Sequence, residues 1–265
     1  MPGLVVVGDA EAVIDEGARR IAASLAAAVA ERGRADWCVT GGSTAAGIYR
    51  VLADADGPLR VQVPWRDVHA WWGDDRFVPR DHPLSNVKPF DDILLGLAGE
   101  GLGGGGPAGV PIPPDHLHPF RTGEAIGRSR DAAWCAASLA DELRGAELPA
   151  VGGWPSFDLL VLGVGGDGHI LSVFPGSTAL GAADLAMAIP APTHIEPQVQ
   201  RVTMNPAVVA AARRVLVLVT GSAKAPVVGE IFGASRDPGR WPAQLALRDG
   251  ATWILDEAAA ARLAP

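Results

Sequence analysis

The chain has 265 residues, 48% of them hydrophobic, which is enough for a sizeable buried core. Its formal net charge of -8 argues against a general nucleic-acid or membrane-surface binder, because such proteins usually present a basic face. Without an apolar run of about 18 residues or a signal-peptide pattern, the sequence predicts a cytoplasmic protein with no membrane span. The two cysteines, Cys38 and Cys135, are predicted to be buried thiols and not a disulfide.

Apolar runs of strand length alternate with helix-length periodic segments along the chain. In chain order, the predicted elements are strand Leu4–Val7, helix Glu11–Arg32, strand Trp37–Thr40, helix Ser43–Leu52, strand Val68–Trp72, helix Gly123–Arg144, strands Phe157–Val164, Val215–Thr220 and Thr252–Leu255, and helix Glu257–Leu263. The runs at Phe157 and Val215 are almost continuously apolar, as is typical of parallel strands covered on both faces. This alternation predicts βαβ units and a mostly parallel α/β sheet within one domain, residues 1–265.

Two segments are predicted to be irregular. Gly99–Pro114 is low in complexity and cannot bury a core, so it is expected to form a mobile surface loop and not a domain linker. Ala191–Pro197 is expected to be a proline-rich connection.

The first turn that could bind a ligand follows the strand that ends at Thr40. Gly41 and Gly42 lead into a helix, and Ser43 can cap that helix. Free N–H groups and the positive end of the helix dipole would then point at one spot, together with Thr44. The pattern predicts an anion site, although an ordinary strand-to-helix turn has the same sequence.

A charged turn follows the strand that ends at Trp72. Asp74, Asp75 and Arg76 could bind sugar hydroxyls and hold charge where an oxyanion forms, or could simply be a charged turn at the sheet surface. Asn86 could bind a hydroxyl or cap the next helix.

The most informative segment is FDLLVLGVGGDGHILSVFPG, from Phe157 to Gly176, where a strand enters a glycine-rich turn. The turn presents Asp167 and His169, and histidine is the side chain best suited to proton transfer near neutral pH. Asp167 could orient the imidazole or line the site. The glycines also match the dinucleotide pattern G-x-G-x-x-G, but Pro175 interrupts the helix that such a site needs.

Two basic residues are further candidates for ligand binding. Lys224 follows a strand and a turn at the predicted carboxyl edge of the sheet, and Arg201 opens the segment RVTMN. Either could instead be a solvated surface residue. His82, His116 and His118 are scattered near prolines without metal-ligand spacing, so no metal site is predicted.

Four segments together resemble the 6-phosphogluconolactonase family, in the family's order. They are TGGSTAAG at Thr40–Gly47, WGDDRFVPRDHPLSN at Trp72–Asn86, the glycine-rich segment around His169, and RVTMNPAVVAAARRVLVLVTGSAK at Arg201–Lys224. The resemblance implies a doubly wound, three-layer α/β/α fold with a smaller subdomain beside the active-site cleft. It also implies hydrolysis of 6-phospho-D-glucono-1,5-lactone in the oxidative pentose phosphate pathway.

The resemblance also assigns roles to residues. It implies that His169 is the general base, with Asp167 beside it, and that no cofactor is needed. The small-molecule sugar-phosphate lactone would be bound by Gly41, Gly42, Ser43, Thr44, Asp74, Asp75, Arg76, Asn86, Arg201 and Lys224. The family usually has glutamate where this chain has Asp75, so the shorter side chain puts the role of that residue in question.

Two alternatives remain at the level of sequence. Glucosamine-6-phosphate deaminases share the fold and a similar turn, but they carry an acidic residue where this chain has Val173–Phe174. A non-catalytic sugar-phosphate sensor of a transcription regulator would need a helix-turn-helix module, for which the sequence before the first strand leaves no room.

Overall fold

The computed structural model describes residues 1–97 and 109–263. The strands are β1 (Gly3–Val7), β2 (Ala35–Val39), β3 (Val68–Trp72), β4 (Asp74–Arg76), β5 (Leu117–His118), β6 (Ala150–Val151), β7 (Trp154–Pro155), β8 (Leu159–Gly163), β9 (Ala186–Ile189), β10 (Arg201–Met204), β11 (Val215–Val219) and β12 (Ala251–Asp256). The helices are α1 (Ala10–Arg32), α2 (Ser43–Ala53), α3 (Pro58–Gln62), α4 (Thr122–Gly127), α5 (Ala132–Gly145), α6 (Ala207–Ala211), α7 (Ala225–Gly233) and α8 (Glu257–Ala260).

The main sheet has seven strands in the order β1-β12-β11-β8-β2-β3-β5. Every neighbouring pair in it is parallel. All five residues of β2 and all five of β11 are buried, which requires that both faces of the sheet be covered. The predicted parallel α/β sheet with flanking helices is confirmed.

The strand order places a topological switch between β2 and β8. From β2 the chain adds β3 and then β5 on one side, whereas from β8 it adds β11 and then β12 on the other. The loops that leave the carboxyl ends of β2 and β8 therefore diverge, and the crevice between them is where open α/β sheets bind ligands.

A second, antiparallel sheet has the order β4-β10-β9. It begins directly after β3, and its register places Arg201 opposite Arg76. Helix α5 packs against β9 and β10. This sheet corresponds to the smaller unit that the family resemblance implied beside the cleft.

One predicted helix is wrong in its extent. The segment Gly123–Arg144 forms two helices, because α4 ends at Gly127 and Ser129 adopts a left-handed φ of 52°. Asp131 then accepts a hydrogen bond from the amide of Trp134 and caps the start of α5. The predicted final helix Glu257–Leu263 is also shorter, since α8 ends at Ala260.

The remaining predictions about the chain have mixed outcomes. Both cysteines are free and buried, as expected. Residues 98–108 of the region around the predicted loop Gly99–Pro114 lie outside the described residues, while Val110 and Ile112 near its end are buried. In the part of the chain that the structure describes, no helix is long and apolar enough to cross a bilayer.

Candidate active site

A cleft of about 410 Å³ opens at the carboxyl ends of β2, β8 and β11. It lies at the topological switch between β2 and β8. The predicted site residues that line it are Gly41, Gly42, Ser43, Thr44, Asp74, Arg76, Asn86, His169, Arg201 and Lys224. Of the predicted set, the structure thus brings all but Asp75 and Asp167 to the wall of one cavity.

The glycine loop after β2 places the start of α2 at this cleft. Gly42, at φ 95°, is the N-cap, and Ser43 is the first helical residue, so the prediction that Ser43 caps the helix is wrong. No side chain caps α2, which leaves the amide N–H groups of its first turn available for an anion. Position 41 must be glycine, because a Cβ there would lie 1.9 Å from Oδ1 of Asn86.

Lys224 reaches the cleft from the turn between β11 and α7. Its Nζ donates to the carbonyl of Val164 at 2.7 Å. Burial lowers the pKa of Lys224, an effect that the negative charge of Asp167 opposes. The hydroxyls of Thr44 and Thr220 lie 3.4 Å apart and link the loop after β2 to the loop after β11.

Two arginines stand side by side on the small sheet. Arg76 donates to the carbonyl of Leu84 at 2.6 Å, and Arg201 donates to the carbonyl of Pro197 at 2.7 Å. The Nε atoms of both are buried without a hydrogen-bond partner among the described residues. Burial, followed by the charge of Arg76, lowers the pKa of Arg201. Neither guanidinium forms an ion pair with a carboxylate in the described ranges, so the pair has capacity for an anionic ligand.

Asp74 and Asn86 form a polar wall of the cleft. The side-chain amide of Asn86 donates to the backbone carbonyl of Asp74 at 2.9 Å, and its Oδ1 accepts no hydrogen bond from a helix amide among the described residues, so Asn86 does not cap a helix. Asp74 accepts a hydrogen bond from Ser172 at 2.5 Å. The Oδ1 atom of Asn86 is buried without a partner among the described residues, which leaves an acceptor for a ligand hydroxyl.

The structure does not bring Asp75 to the cleft, which corrects the prediction that it binds substrate. Side chains alternate along β4, so Asp74 and Arg76 share one face and Asp75 points to the other. Its carboxylate is completely buried and accepts from the amides of Arg76 and Asn86 and from Ser85. Burial raises the pKa of Asp75 to about 7, although these hydrogen bonds oppose the shift.

Asp167 lies behind His169 and joins two imidazoles. One carboxylate oxygen is 2.5 Å from Nδ1 of His169, and the other is 2.7 Å from Nε2 of His194. Burial alone would raise the pKa of Asp167, but the hydrogen bonds from His169 and His194 hold it well below its usual range. Because an ionised carboxylate only accepts hydrogen bonds, Nδ1 of His169 donates to Asp167, which leaves Nε2 as the ring nitrogen available to a ligand.

Gly165 is required by the position of His169. A Cβ on Gly165 would lie 2.0 Å from Nδ1 of His169, so only glycine lets the imidazole fold back over the turn. After Gly168 the chain forms a bridge between Ile170 and Val173 and not a helix. The G-x-G-x-x-G pattern therefore lacks the helix that a dinucleotide site needs.

Sequence reasoning missed two polar residues of this region. His194 lies in the predicted proline-rich connection, and Ser172 follows the histidine turn. Neither belongs to a spacing pattern that signals chemistry. Within the described ranges, no group of three or more His, Cys, Asp or Glu side chains could hold a metal ion.

Comparison with known proteins places this cleft in context. The family model described as glucosamine-6-phosphate isomerases/6-phosphogluconolactonase matches residues 8–254. The chain is 31% identical over 265 residues to the 6-phosphogluconolactonase of Synechocystis sp., covering 100% of this chain and 99% of the relative. It is 33% identical over 258 residues to that of Mycobacterium tuberculosis, covering 96% of each.

Solved structures show the same fold. The 6-phosphogluconolactonase of Trypanosoma brucei superposes with a TM-score of 0.82 at 28% identity and covers 100% of this chain and 99% of its own. A monomeric glucosamine-6-phosphate deaminase superposes with a TM-score of 0.77 at 17% identity, covering 98% and 99%, which shows the fold alone. On the family match and these full-length relatives, the chain belongs to the glucosamine-6-phosphate isomerase/6-phosphogluconolactonase family.

Proposed function

We propose that this protein is an enzyme that hydrolyses 6-phospho-D-glucono-1,5-lactone to 6-phospho-D-gluconate in the oxidative pentose phosphate pathway. The observation that carries the proposal is the make-up of one cleft. A histidine supported by a carboxylate faces a cavity that also contains Arg76, Arg201 and Lys224, cations with no carboxylate ion pair among the described residues. A substrate that carries both a reactive ester and an anionic phosphate needs a proton-transfer group for the ester and cations for the phosphate.

His169 supplies the acid–base chemistry. Its Nε2 takes a proton from water as the oxygen of that water bonds to the lactone carbonyl carbon, and the carbonyl oxygen becomes an oxyanion. When the tetrahedral intermediate collapses, the ring C–O bond breaks and the imidazolium returns its proton to the leaving ring oxygen. The product is the open-chain acid. Asp167 stabilises the imidazolium between the two steps.

The other cleft residues bind the substrate. We assign the phosphate to the first turn of α2, with Gly41, Gly42, Ser43 and Thr44, and to the cations Arg201 and Lys224. Asp74 and Asn86 bind sugar hydroxyls. Arg76 lies on the same face as Asp74 and offers charge where the oxyanion forms. Asp75 holds this loop from behind.

The deaminase alternative is less well supported. Where deaminases carry an acidic residue, this chain places Val173, which is fully buried, and Phe174, whose ring lies 4.7 Å from that of His169. An apolar ring there cannot serve as an acid or base.

The reaction needs no cofactor in the proposed scheme. A cytoplasmic location is part of the proposal, since both cysteines are free thiols.

The decisive experiment is a spectrophotometric assay of lactone hydrolysis coupled to 6-phosphogluconate dehydrogenase, corrected for spontaneous hydrolysis. The enzyme should act on the phosphorylated lactone in the presence of EDTA and should not release ammonia from glucosamine 6-phosphate. Ammonia release with no lactone hydrolysis would establish the deaminase instead. Absence of both activities would remove the proposal.

A further inference from the structure

The loop between β9 and β10 carries a second imidazole onto the carboxylate behind His169. Each oxygen of Asp167 contacts one ring nitrogen, Nδ1 of His169 at 2.5 Å and Nε2 of His194 at 2.7 Å. The His194 side chain is 50% exposed, whereas that of Asp167 is 17% exposed. Asp167 therefore does not serve His169 alone.

The loop contains hydrogen bonds that do not involve His194. Gln198 donates to the carbonyl of Thr193 at 3.3 Å, and Arg201 donates to the carbonyl of Pro197 at 2.7 Å. The ring of Phe174 contacts both imidazoles, with centroids 4.7 Å from His169 and 5.8 Å from His194. Ile195 also packs against the apolar cluster that contains Phe174, so the contact between His194 and Asp167 is not the sole attachment of the loop.

We propose that His194 is a positioning residue, which fixes the Asp167 carboxylate and shares its negative charge so that His169 gives up its proton at lower pH. A carboxylate that accepts two hydrogen bonds stabilises each donor less than one that accepts a single bond. The inference deepens the proposed function, because its consequence is that the catalytic imidazole remains an unprotonated base under more acidic conditions.

The charges around this pair set the expected direction. Asp167 faces His169, His194 and the half-buried Lys224, whose charge it stabilises. Glu196, on the same loop as His194, lines the cleft and is exposed. When the His194 donor is removed, the negative charge of Asp167 is stabilised by His169 and Lys224 without a hydrogen bond from residue 194. A protonated His169 is then better stabilised, and it should hold its proton to higher pH.

The test uses variants of the whole protein. His194→Ala removes the donor, and His194→Gln keeps an uncharged amide donor at a similar reach. Gln198→Ala is the matched control, because it loosens the same loop without touching Asp167. Two measurements follow each variant, the pH midpoint of the His169 ring signals by NMR in the ligand-free protein and the acid limb of the pH profile of kcat/KM.

In His194→Ala the NMR midpoint should rise by about 0.5 pH unit or more. The acid limb should move in the same direction, so kcat/KM below the limb falls about threefold. In His194→Gln the NMR midpoint and the acid limb should lie close to their wild-type positions. In Gln198→Ala neither the midpoint nor the limb should shift. An unchanged midpoint in His194→Ala, or an equal shift in Gln198→Ala, would overturn the positioning role. Because the NMR titration needs no substrate, it decides this point even if lactone hydrolysis is absent.

Discussion

Two histidine clusters in this molecule look alike in their contacts and differ in what surrounds them. In the cleft, His169 lies 2.5 Å from Asp167. At the edge of the main sheet, His118 lies 2.5 Å from Glu142, and its other nitrogen is 3.0 Å from His69. The rings of His69 and His116 stack with centroids 3.7 Å apart.

The difference is the environment of each imidazole. His169 lines a cavity that also contains cations, while His118 is stacked on Trp71 at 3.8 Å and lies in strand β5 at the sheet edge. The edge rings stack on one another and on Trp71. A short contact between histidine and a carboxylate is therefore common to both clusters, and the candidate active site differs from the edge cluster by its cavity and the cationic side chains that line it.

The largest expected effect comes from exchanging one ring in each cluster. His169→Asn removes the proton shuttle, and kcat should fall by about 10² to 10⁴, the usual worth of general acid–base catalysis. His118→Asn, the matched change at the edge, should leave kcat within about twofold. Steady-state assays of both variants, with circular dichroism to verify folding, measure this contrast. A wild-type kcat in His169→Asn would place the base elsewhere, with Asp167 the next candidate.

The second prediction tests the cations that distinguish the cleft. Lys224→Ala should raise KM for the phosphorylated lactone by about 10- to 100-fold, the worth of one charged hydrogen bond, and change KM for unphosphorylated gluconolactone much less. Lys88, the other lysine of the chain, pairs with Asp92 away from the cleft and serves as the matched control in Lys88→Ala. Equal losses on both substrates would contradict the phosphate assignment.

The third prediction tests how burial alone changes the pKa of a carboxyl group. Asp75 suits this test because it is buried beside the cleft and forms no hydrogen bond with a histidine among the described residues. Its pKa is raised to about 7 by burial, so the stability that its neutral form contributes is lost as pH rises from about 4 through 7. Asp75→Asn should stabilise the protein relative to wild type by about 1–2 kcal/mol more at pH 8 than at pH 5. Urea unfolding at both pH values measures this. If Asp75→Asn changed the free energy of unfolding equally at pH 5 and pH 8, the Asp75 carboxyl would be ionised at both pH values.

The smallest effect is expected at the edge cluster. Burial, then the charges of Arg34 and His116, lower the pKa of His69 to about 4. The unfolded chain then binds more protons than the folded one, and stability is lost as pH falls from about 6.5 to 4. His69→Gln should reduce that loss by about 1 kcal/mol, after allowance for the exposure of the ring. His82→Gln, in the turn before Leu84, is the control. An unaltered acid sensitivity would show that His69 remains protonated in the fold.

Six of the seven strands of the main sheet were predicted because they are apolar runs of the chain, whereas the two-residue edge strand β5 was not. Strand β3 has the predicted bounds, and β11 differs by one residue. The break between α4 and α5 was not predicted, because Arg128–Asp131 interrupts a segment whose helical spacing continues on both sides. Asp131 is a favourable N-cap residue and marks the start of α5, but the helical periodicity around it predicts one continuous helix.

The candidate site shows a similar division. Residues that follow predicted strands converge on the cleft, because parallel strands deliver their carboxyl ends to one edge. Asp75 does not, because the turn after β3 continues as strand β4 and alternates its side chains. His194 approaches Asp167 from an irregular loop 27 residues later, and no periodicity encodes such a contact.

The pairing of β1 with β12 has a consequence for the order in which the protein can assemble during translation. Gly3 aligns with Thr252 and Val7 with Asp256, so β1 must wait for β12 to be synthesised, almost 250 residues later. Such distant pairings slow folding, because chain entropy is lost before contacts form. Until β12 is made, both β1 and the neighbouring edge of β11 lack their partner strand. A nascent chain stalled before Ala251 should therefore bind chaperones and be cut by proteases near β1, and one released after Asp256 should resist both.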